Sequence, residues 1–220
     1  MNKKKKILFV VSNINKVEDT PCGICVEEFA IPYLIFLDNN FSVTTCSPNG
    51  GKAFISPSEL HSIKKEWAFV HDVLSRTESL ENIDTDLFDA LYFPGGQAAL
   101  CDLPKNEKVS NIVKIFYREN KPIGALSHGI AALLYVVADN GEPLLKDKEV
   151  CAFSKQEEEE QFKSRSLPFY LEDKLKEQGA ILKYPTGEEL LVVNCNNIIS
   201  GQNKKASKDL AEEIIRIFNS

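Results

Sequence analysis

A serine and a histidine directly after a short apolar run are the residues of this chain best placed to do chemistry. They lie in residues 121–134, KPIGALSHGIAALL, where Ser127 ends a strand-like run and Gly129 begins an apolar helical stretch. This order is typical of a nucleophile elbow, a sharp turn that presents one side chain in a pocket beside backbone amides. The pattern predicts that position 127 faces a reactive site.

A serine hydrolase of the usual kind is disfavoured by the histidines. A serine hydroxyl needs a base to become nucleophilic, and in α/β-hydrolases that base is a histidine later in the chain. The three histidines are His61, His71 and His128, and none follows His128. The side chain of His128 itself is expected to point away from that of its neighbour Ser127.

Two cysteines offer a different chemistry. Cys22-Gly-Ile-Cys25 opens a helix after the first strand, which is the position of a thioredoxin-like redox pair. Nine residues, 13–21, separate the pair from the strand, whereas a redox helix normally begins at once. The alternative is that both are small packed residues at a helix start. Cys101 follows a Gly-Gly loop and could substitute for a missing thiol, although packing is the simpler role.

The sequence motifs give little support for a metal, cofactor or phosphate site. His61 and His71 lack a metal-ligand spacing. The Pro-Gly-Gly at 94–96 lacks the Lys-Ser/Thr of a P-loop and the third glycine of a dinucleotide motif. A class I glutaminase would need a His-x-Glu late in the chain. We therefore expect no metal and no cofactor.

Bulk composition narrows the class of protein. The 220 residues are 43% apolar and 26% charged, with a net charge of −6, which fits one domain over 1–220 and argues against nucleic-acid binding. No apolar run approaches the ~20 residues of a membrane span, so we expect a cytoplasmic protein. Six scattered cysteines suit buried free thiols in a reducing compartment.

Strands and helices alternate along the chain, which predicts a three-layer α/β sandwich with a mostly parallel, flavodoxin-like sheet and helices on both faces. Pro32 is expected to kink or restart the first helix, and Asn196-Asn197 to form the tip of a hairpin. The acidic run 157–160 is interpreted as a solvated face. Predicted strands are 6–12, 41–47, 88–93, 121–126, 148–153 and a hairpin over 190–200; predicted helices are 26–38, 65–74, 107–120, 129–137, 167–180 and 204–218.

Four stretches together resemble the ThiJ/PfpI superfamily, which has the class I glutamine amidotransferase-like fold, and within it the heat-shock chaperone/glyoxalase III branch. GICVEEFAIPY is similar to the first-helix motif, FDALYFPGGQAALCDLP to the Gly-Gly-His-Gly loop, and IGALSHGIAAL to the Ala-x-Cys-His-Gly-Pro elbow. LPFYLEDKLKEQGA followed by IISGQNKKAS is similar to the C-terminal third.

This resemblance implies a site. The catalytic positions would be Ser127, His128, Glu28 and Glu158, and the substrate or oxyanion positions Gly95, Gly96 and Gln97. Glu28 corresponds to the buried glutamate that tunes the nucleophile, and Glu158 to one that orients the histidine. The oxyanion donors would be the amides of Gly96 and His128.

The departures from the family pattern concern the chemistry itself. Ser127 replaces the nucleophilic cysteine, Gln97 replaces the loop histidine, and Ala98 and Ile130 replace a glycine and a proline. A thiol can be driven to the thiolate at neutral pH, whereas a hydroxyl cannot. Two explanations of Ser127 remain open: the chain is a degenerate or altered member of the family, or its cysteine was deliberately replaced. The three additional departures favour the first explanation.

The resemblance implies a homodimer that acts on small carbonyl compounds of the methylglyoxal type, as a glyoxalase III or protein deglycase, with altered or lost activity because of Ser127. Two alternatives remain: a redox protein using Cys22 and Cys25, and a non-catalytic chaperone or small-molecule-binding protein of the stress response.

Overall fold

The computed structural model describes residues 4–161, 167–185 and 191–219. In chain order the strands are β1 (Lys5–Val10), β2 (Lys16–Val17), β3 (Thr20–Pro21), β4 (Phe41–Ser47), β5 (Glu78–Ser79), β6 (Ala90–Phe93), β7 (Ile123–Leu126), β8 (Glu149–Val150), β9 (Ile181–Leu182), β10 (Val192–Cys195) and β11 (Ile198–Gly201). The helices are α1 (Val26–Asp38), α2 (Phe69–Ser75), α3 (Ala99–Asp102), α4 (Glu107–Arg118), α5 (Lys155–Gln161), α6 (Leu171–Glu177) and α7 (Ser207–Asn219). Short 3-10 helices occupy Pro57–Ser62, Lys65–Trp67, Leu80–Asn82, Thr85–Leu87, Ser127–Leu133 and Lys204–Ala206.

A seven-stranded sheet in the order β10-β11-β7-β6-β1-β4-β5 forms the middle layer. Its strand pairs are parallel except β10 with β11, which form an antiparallel hairpin. Asn196 and Asn197 form the hairpin tip with φ of 53° and 61°, as predicted. The predicted fold class is confirmed. In the described segments no helix combines the length and the apolarity that crossing a membrane requires.

Strand β1 shows why the central strands are continuous apolar runs. Its side chains alternate between the faces of the sheet: Ile7 and Phe9 belong to the core formed with α1, α2 and α7. Leu8 and Val10 belong to the core formed with α3 and α4 on the opposite face. Because helices cover both faces, an apolar side chain is favoured at every position.

Helix α1 runs through Pro32 without restarting. A proline has no N–H, so it leaves the carbonyl four residues earlier, that of Glu28, without its helical donor. The buried hydroxyl of Tyr92 on β6 donates to this carbonyl oxygen at 2.7 Å. The sheet therefore supplies the hydrogen bond that Pro32 removes, and in doing so it fixes the first turn of α1.

Two predicted elements differ from the structure. The predicted helix 129–137 is wrong, because a 3-10 helix covers Ser127–Leu133 and Tyr135 adopts a φ of 63°. All seven residues of this 3-10 helix are buried, and the tighter winding suits a short segment enclosed on every side. The predicted strand 148–153 is reduced to β8, which pairs with β9 outside the main sheet.

The Tyr92 hydrogen bond predicts a measurable coupling with Pro32. Tyr92→Phe should lower the free energy of unfolding by about 1–3 kcal/mol, because it leaves a buried carbonyl without a donor. Tyr170→Phe, at a tyrosine that is 37% exposed, is the matched control and should change it by less than about 0.5 kcal/mol. Urea unfolding followed by circular dichroism gives both values.

A double-mutant cycle separates this mechanism from simple loss of packing. In the Pro32→Ala background residue 32 regains an N–H, which can bond to the Glu28 carbonyl, so the loss caused by Tyr92→Phe should shrink. An equal loss in both backgrounds would contradict the proposed role of Tyr92.

Candidate active site

A cavity of about 500 Å³ opens at the carboxyl ends of β6 and β7. This is the edge of a parallel sheet at which ligands usually bind. Its lining contains five of the seven sequence-predicted site residues, and Gly95 and Glu158 lie directly behind it. The described lining residues are Cys25, Glu28, Ser56, Ser58, Glu59, Gly96, Gln97, Ser127, His128, Phe153, Glu157, Glu160, Gln161, Asn203, Lys204 and Lys205.

Ser127 occupies a strained turn at the end of β7. Its φ is 56°, in the left-handed region that a non-glycine residue rarely adopts. The turn fits only because the neighbouring backbone comes very close: a Cβ on Gly129 would lie 2.9 Å from the carbonyl carbon of Phe93, and one on Gly95 would lie 2.9 Å from Cβ of Ser127. Glycines on both sides therefore permit the elbow.

Glu28 lies in the first turn of α1, 3% exposed, beneath the elbow. Its Oε2 accepts a hydrogen bond from the amide of Gly95 at 2.8 Å, and its carboxyl is also hydrogen-bonded to the Ser127 hydroxyl. Burial raises the pKa of Glu28 from 4.5 to about 8, against the opposing effect of these two hydrogen bonds. At neutral pH the carboxyl is therefore mostly protonated.

The imidazole of His128 lies against a carboxyl group on α5. Nε2 of His128 lies 3.0 Å from Oε1 of Glu158, and both residues are at most 2% exposed. The imidazole also packs on the Phe153 ring, with the centroids 4.7 Å apart. The other oxygen of Glu158, Oε2, is buried and has no hydrogen-bond partner in the described part of the chain. The Nε2 position is committed to Glu158.

The sequence predicted that the acidic run 157–160 is a solvated face, but only part of it is exposed. Glu158 is buried, and Glu157 accepts hydrogen bonds from Gln202 Nε2 at 3.0 Å and Asn203 Nδ2 at 2.7 Å. Glu159 and Glu160 are exposed. Glu157 thus fastens the loop before α7 to α5, and so holds one wall of the cavity.

The glycine loop after β6 forms the opposite wall. Gly96 has a φ of 110°, and a Cβ there would lie 2.7 Å from the amide nitrogen of Cys25. Gln97, which replaces the family histidine, is 5% exposed and lines the cavity. The loop is pressed against the start of α1, so its position and that of Glu28 are linked.

Sequence reasoning missed a thiol inside the cavity. Cys25 precedes α1, lines the cavity, and its Sγ lies 3.7 Å from Oε2 of Glu59. Burial, reinforced by Glu28 and Glu59, raises the pKa of Cys25 well above its usual range. Glu59 lies in an irregular segment that gave no signal. Cys22 and Cys101, both described, do not line the cavity.

The chain resembles curated proteins in sequence and solved structures in fold. The chain is 28% identical over 201 residues to the "Glutamine amidotransferase-like class 1 domain-containing protein 1" of Xenopus laevis, covering 90% of this chain and 86% of that protein. It is 25% identical over 215 residues to the "Glutathione-independent glyoxalase hsp3102" of Schizosaccharomyces pombe (strain 972 / ATCC 24843), covering 88% of each.

Among solved structures, the Rapid Encystment Protein 24 KDa of Francisella tularensis superposes with a TM-score of 0.88 at 28% identity, covering 96% of this chain and 98% of that one. Glyoxalase III of Candida albicans has a TM-score of 0.84 at 20% identity, covering 97% of each chain, which shows a shared fold. The family model described as the DJ-1/PfpI family matches residues 5–217, and the chain belongs to that family.

Proposed function

We propose that the cavity binds small carbonyl compounds of the methylglyoxal type and that the chain as written converts them slowly or not at all. The observation that carries this proposal is the position of Ser127, in the strained elbow beside the buried carboxyl of Glu28. It places a neutral hydroxyl, rather than a thiolate, at the position from which a carbonyl carbon would be attacked.

Glu28 is not suited to remove the proton of Ser127. Glu28, with a pKa of about 8, already holds a proton over most of the neutral range. Its Oε2 also accepts a hydrogen bond from the amide of Gly95. Nε2 of His128 bonds to Glu158. A hydroxyl without a base is a poor nucleophile.

The rest of the cavity is compatible with a carbonyl ligand. Gly96 and His128 line it beside Ser127, and their backbone amides would donate to the carbonyl oxygen. Gln97 would add a polar contact, and Glu158 would act as a positioning residue by holding His128. The named glyoxalases among the relatives favour this ligand class. A cytoplasmic homodimer belongs to the same proposal.

The alternative redox function through Cys22 and Cys25 gains no support from the cavity. Cys25 is paired with Glu59, whereas the thiol of Cys22 is hydrogen-bonded to Cys101. A non-catalytic binding protein remains the second candidate, because the cavity with its polar side chains is present even where the elbow lacks a thiolate.

Restoring the thiol should restore part of the chemistry. Ser127→Cys should raise the rate of methylglyoxal consumption about tenfold or more, equal to ~1.4 kcal/mol of activation free energy, because protonated Glu28 can donate to a thiolate. Lactate must form in equal amount. The rate should stay below that of an intact glyoxalase III, because Gln97 and Ala98 also differ.

Ser75→Cys is the matched control, since it adds a thiol at an exposed position on α2 away from the cavity. It should leave the rate at that of the unaltered chain. Lactate production by the unaltered chain, abolished by Ser127→Ala, would show that the hydroxyl is an efficient nucleophile and would overturn the proposal.

The protonation of Glu28 can be measured through the pH dependence of the free energy of unfolding. Because folding raises its pKa from 4.5 to about 8, the folded chain keeps a proton that the unfolded chain releases. The resulting stabilisation is complete below about pH 4.5 and is lost, at ~1.4 kcal/mol per pH unit, as the pH rises toward 8. Between pH 5 and 8 the unaltered chain should therefore lose stability relative to Glu28→Gln.

Urea unfolding of both chains at half-unit pH steps makes the comparison, because all other titrating groups cancel in the difference. Two curves that remain parallel from pH 5 to 8 would show that Glu28 is ionised throughout this range.

A further inference from the structure

The structure pairs Cys22 with a cysteine far away in the sequence. The side chains of Cys22 and Cys101 lie close enough to change each other's pKa, although 78 residues lie between them in the sequence. All six cysteines are free thiols. Cys25 contacts Glu59 instead. The Cys-x-x-Cys spacing therefore does not identify which thiol is the neighbour of Cys22.

Backbone hydrogen bonds hold the two segments that carry these cysteines beside each other. The amide of Cys25 donates to the carbonyl of Gly95 at 3.1 Å, and the amide of Ala98 donates to that of Gly23 at 3.4 Å. Cys101 follows in α3, where its amide donates to the Ala98 carbonyl at 3.0 Å. The segment before α1 and the glycine loop are thus held in register. Two cysteines on segments that are held side by side can form a disulfide with little backbone movement.

We propose that Cys22 and Cys101 are a redox modification site, at which a peroxide converts the thiol pair into an intramolecular disulfide. The bond would join the start of α1 to α3 and so tether the glycine loop, which carries Gly96 and Gln97. It would act on one wall of the cavity without occupying it. The proposal stands whatever compound the cavity binds.

The reaction is balanced with hydrogen peroxide as the oxidant. One thiol loses its proton and attacks a peroxide oxygen, which gives a sulfenic acid and hydroxide, and the hydroxide takes up that proton as water. The second thiol then attacks the sulfenic sulfur, forms the S–S bond and releases a second water. Two thiols and one peroxide give one disulfide and two waters.

Local chemistry favours this pair over the other cysteines. The hydrogen bond from Cys101 lowers the pKa of Cys22, against burial and the charge of Asp102. Burial raises the pKa of Cys25, Cys46 and Cys151, so these thiols form thiolates less readily. Cys22 is 2% exposed but Cys101 is partly exposed, so an oxidant can reach the pair from the side of α3.

The test is to treat the reduced full-length chain with a small excess of hydrogen peroxide, alkylate the remaining thiols, digest it and map the products by mass spectrometry. We expect four alkylated cysteines and one peptide pair joined through Cys22 and Cys101, lighter by two hydrogens and separated again by dithiothreitol. Closing so long a loop should raise Tm by about 5–10 °C.

Single substitutions identify the partners. Cys101→Ser, at a partly exposed position, should abolish both the joined peptide and the Tm increase, whereas Cys25→Ser, the matched change at the other cysteine of the motif, should leave the disulfide intact. A bond between Cys22 and Cys25, a bond between two chains, or six alkylated thiols after peroxide treatment would each overturn the proposal. Mapping the unaltered chain needs no variant, so a poorly folding variant does not prevent the test.

Discussion

The burial of one carboxyl, that of Glu28, is the constraint on which the rest of the site depends. A carboxyl that is 3% exposed must be neutral or must receive hydrogen bonds, and here both hold. Its acceptor contact with Gly95 requires the glycine loop to press against α1, and a Cβ at Gly95 would collide with Glu28 and with the elbow. Loop, helix and elbow therefore form one packed unit.

The same constraint explains why the elbow persists with a serine. The strained backbone of Ser127 is held by the wholly buried 3-10 helix that follows it and by the close approach of Gly129 to Phe93. These contacts involve backbone and neighbouring side chains, and none of them requires a thiol at position 127. The scaffold of the site and the identity of its reacting atom are thus separable, so the geometry is retained where the chemistry has changed.

Much of the fold could be predicted from the sequence because burial on both sheet faces leaves a plain signal. The apolar run of β1, the extent of α1 and the turn at Asn196 and Asn197 all follow from local rules. The positions of Ser127, Glu28 and Gly96 around one cavity followed from the family resemblance, since they lie on three separate elements.

The remaining features depend on contacts between distant segments. In a run of four glutamates, local pattern does not distinguish the buried Glu158 from the exposed Glu159. The 3-10 winding after Ser127 is set by the enclosing core, which overrides the apolar helical pattern. Likewise, spacing suggested that Cys22 pairs with Cys25, whereas the packing of the glycine loop brings Cys22 to Cys101.

The thiol in the cavity does not simply replace the one missing from the elbow. Cys25 adjoins the carboxyl groups of Glu28 and Glu59, which together with burial keep it protonated, and it lies outside the strained turn that would aim it at a substrate. A reactive thiolate needs a positive or hydrogen-bond-donating environment. Such an environment exists at the elbow, where protonated Glu28 can donate, and at Cys22, where Cys101 donates. The chain therefore keeps a hydroxyl at the elbow, whereas the thiol whose pKa is lowered, that of Cys22, lies outside the cavity on the segment that the glycine loop packs against.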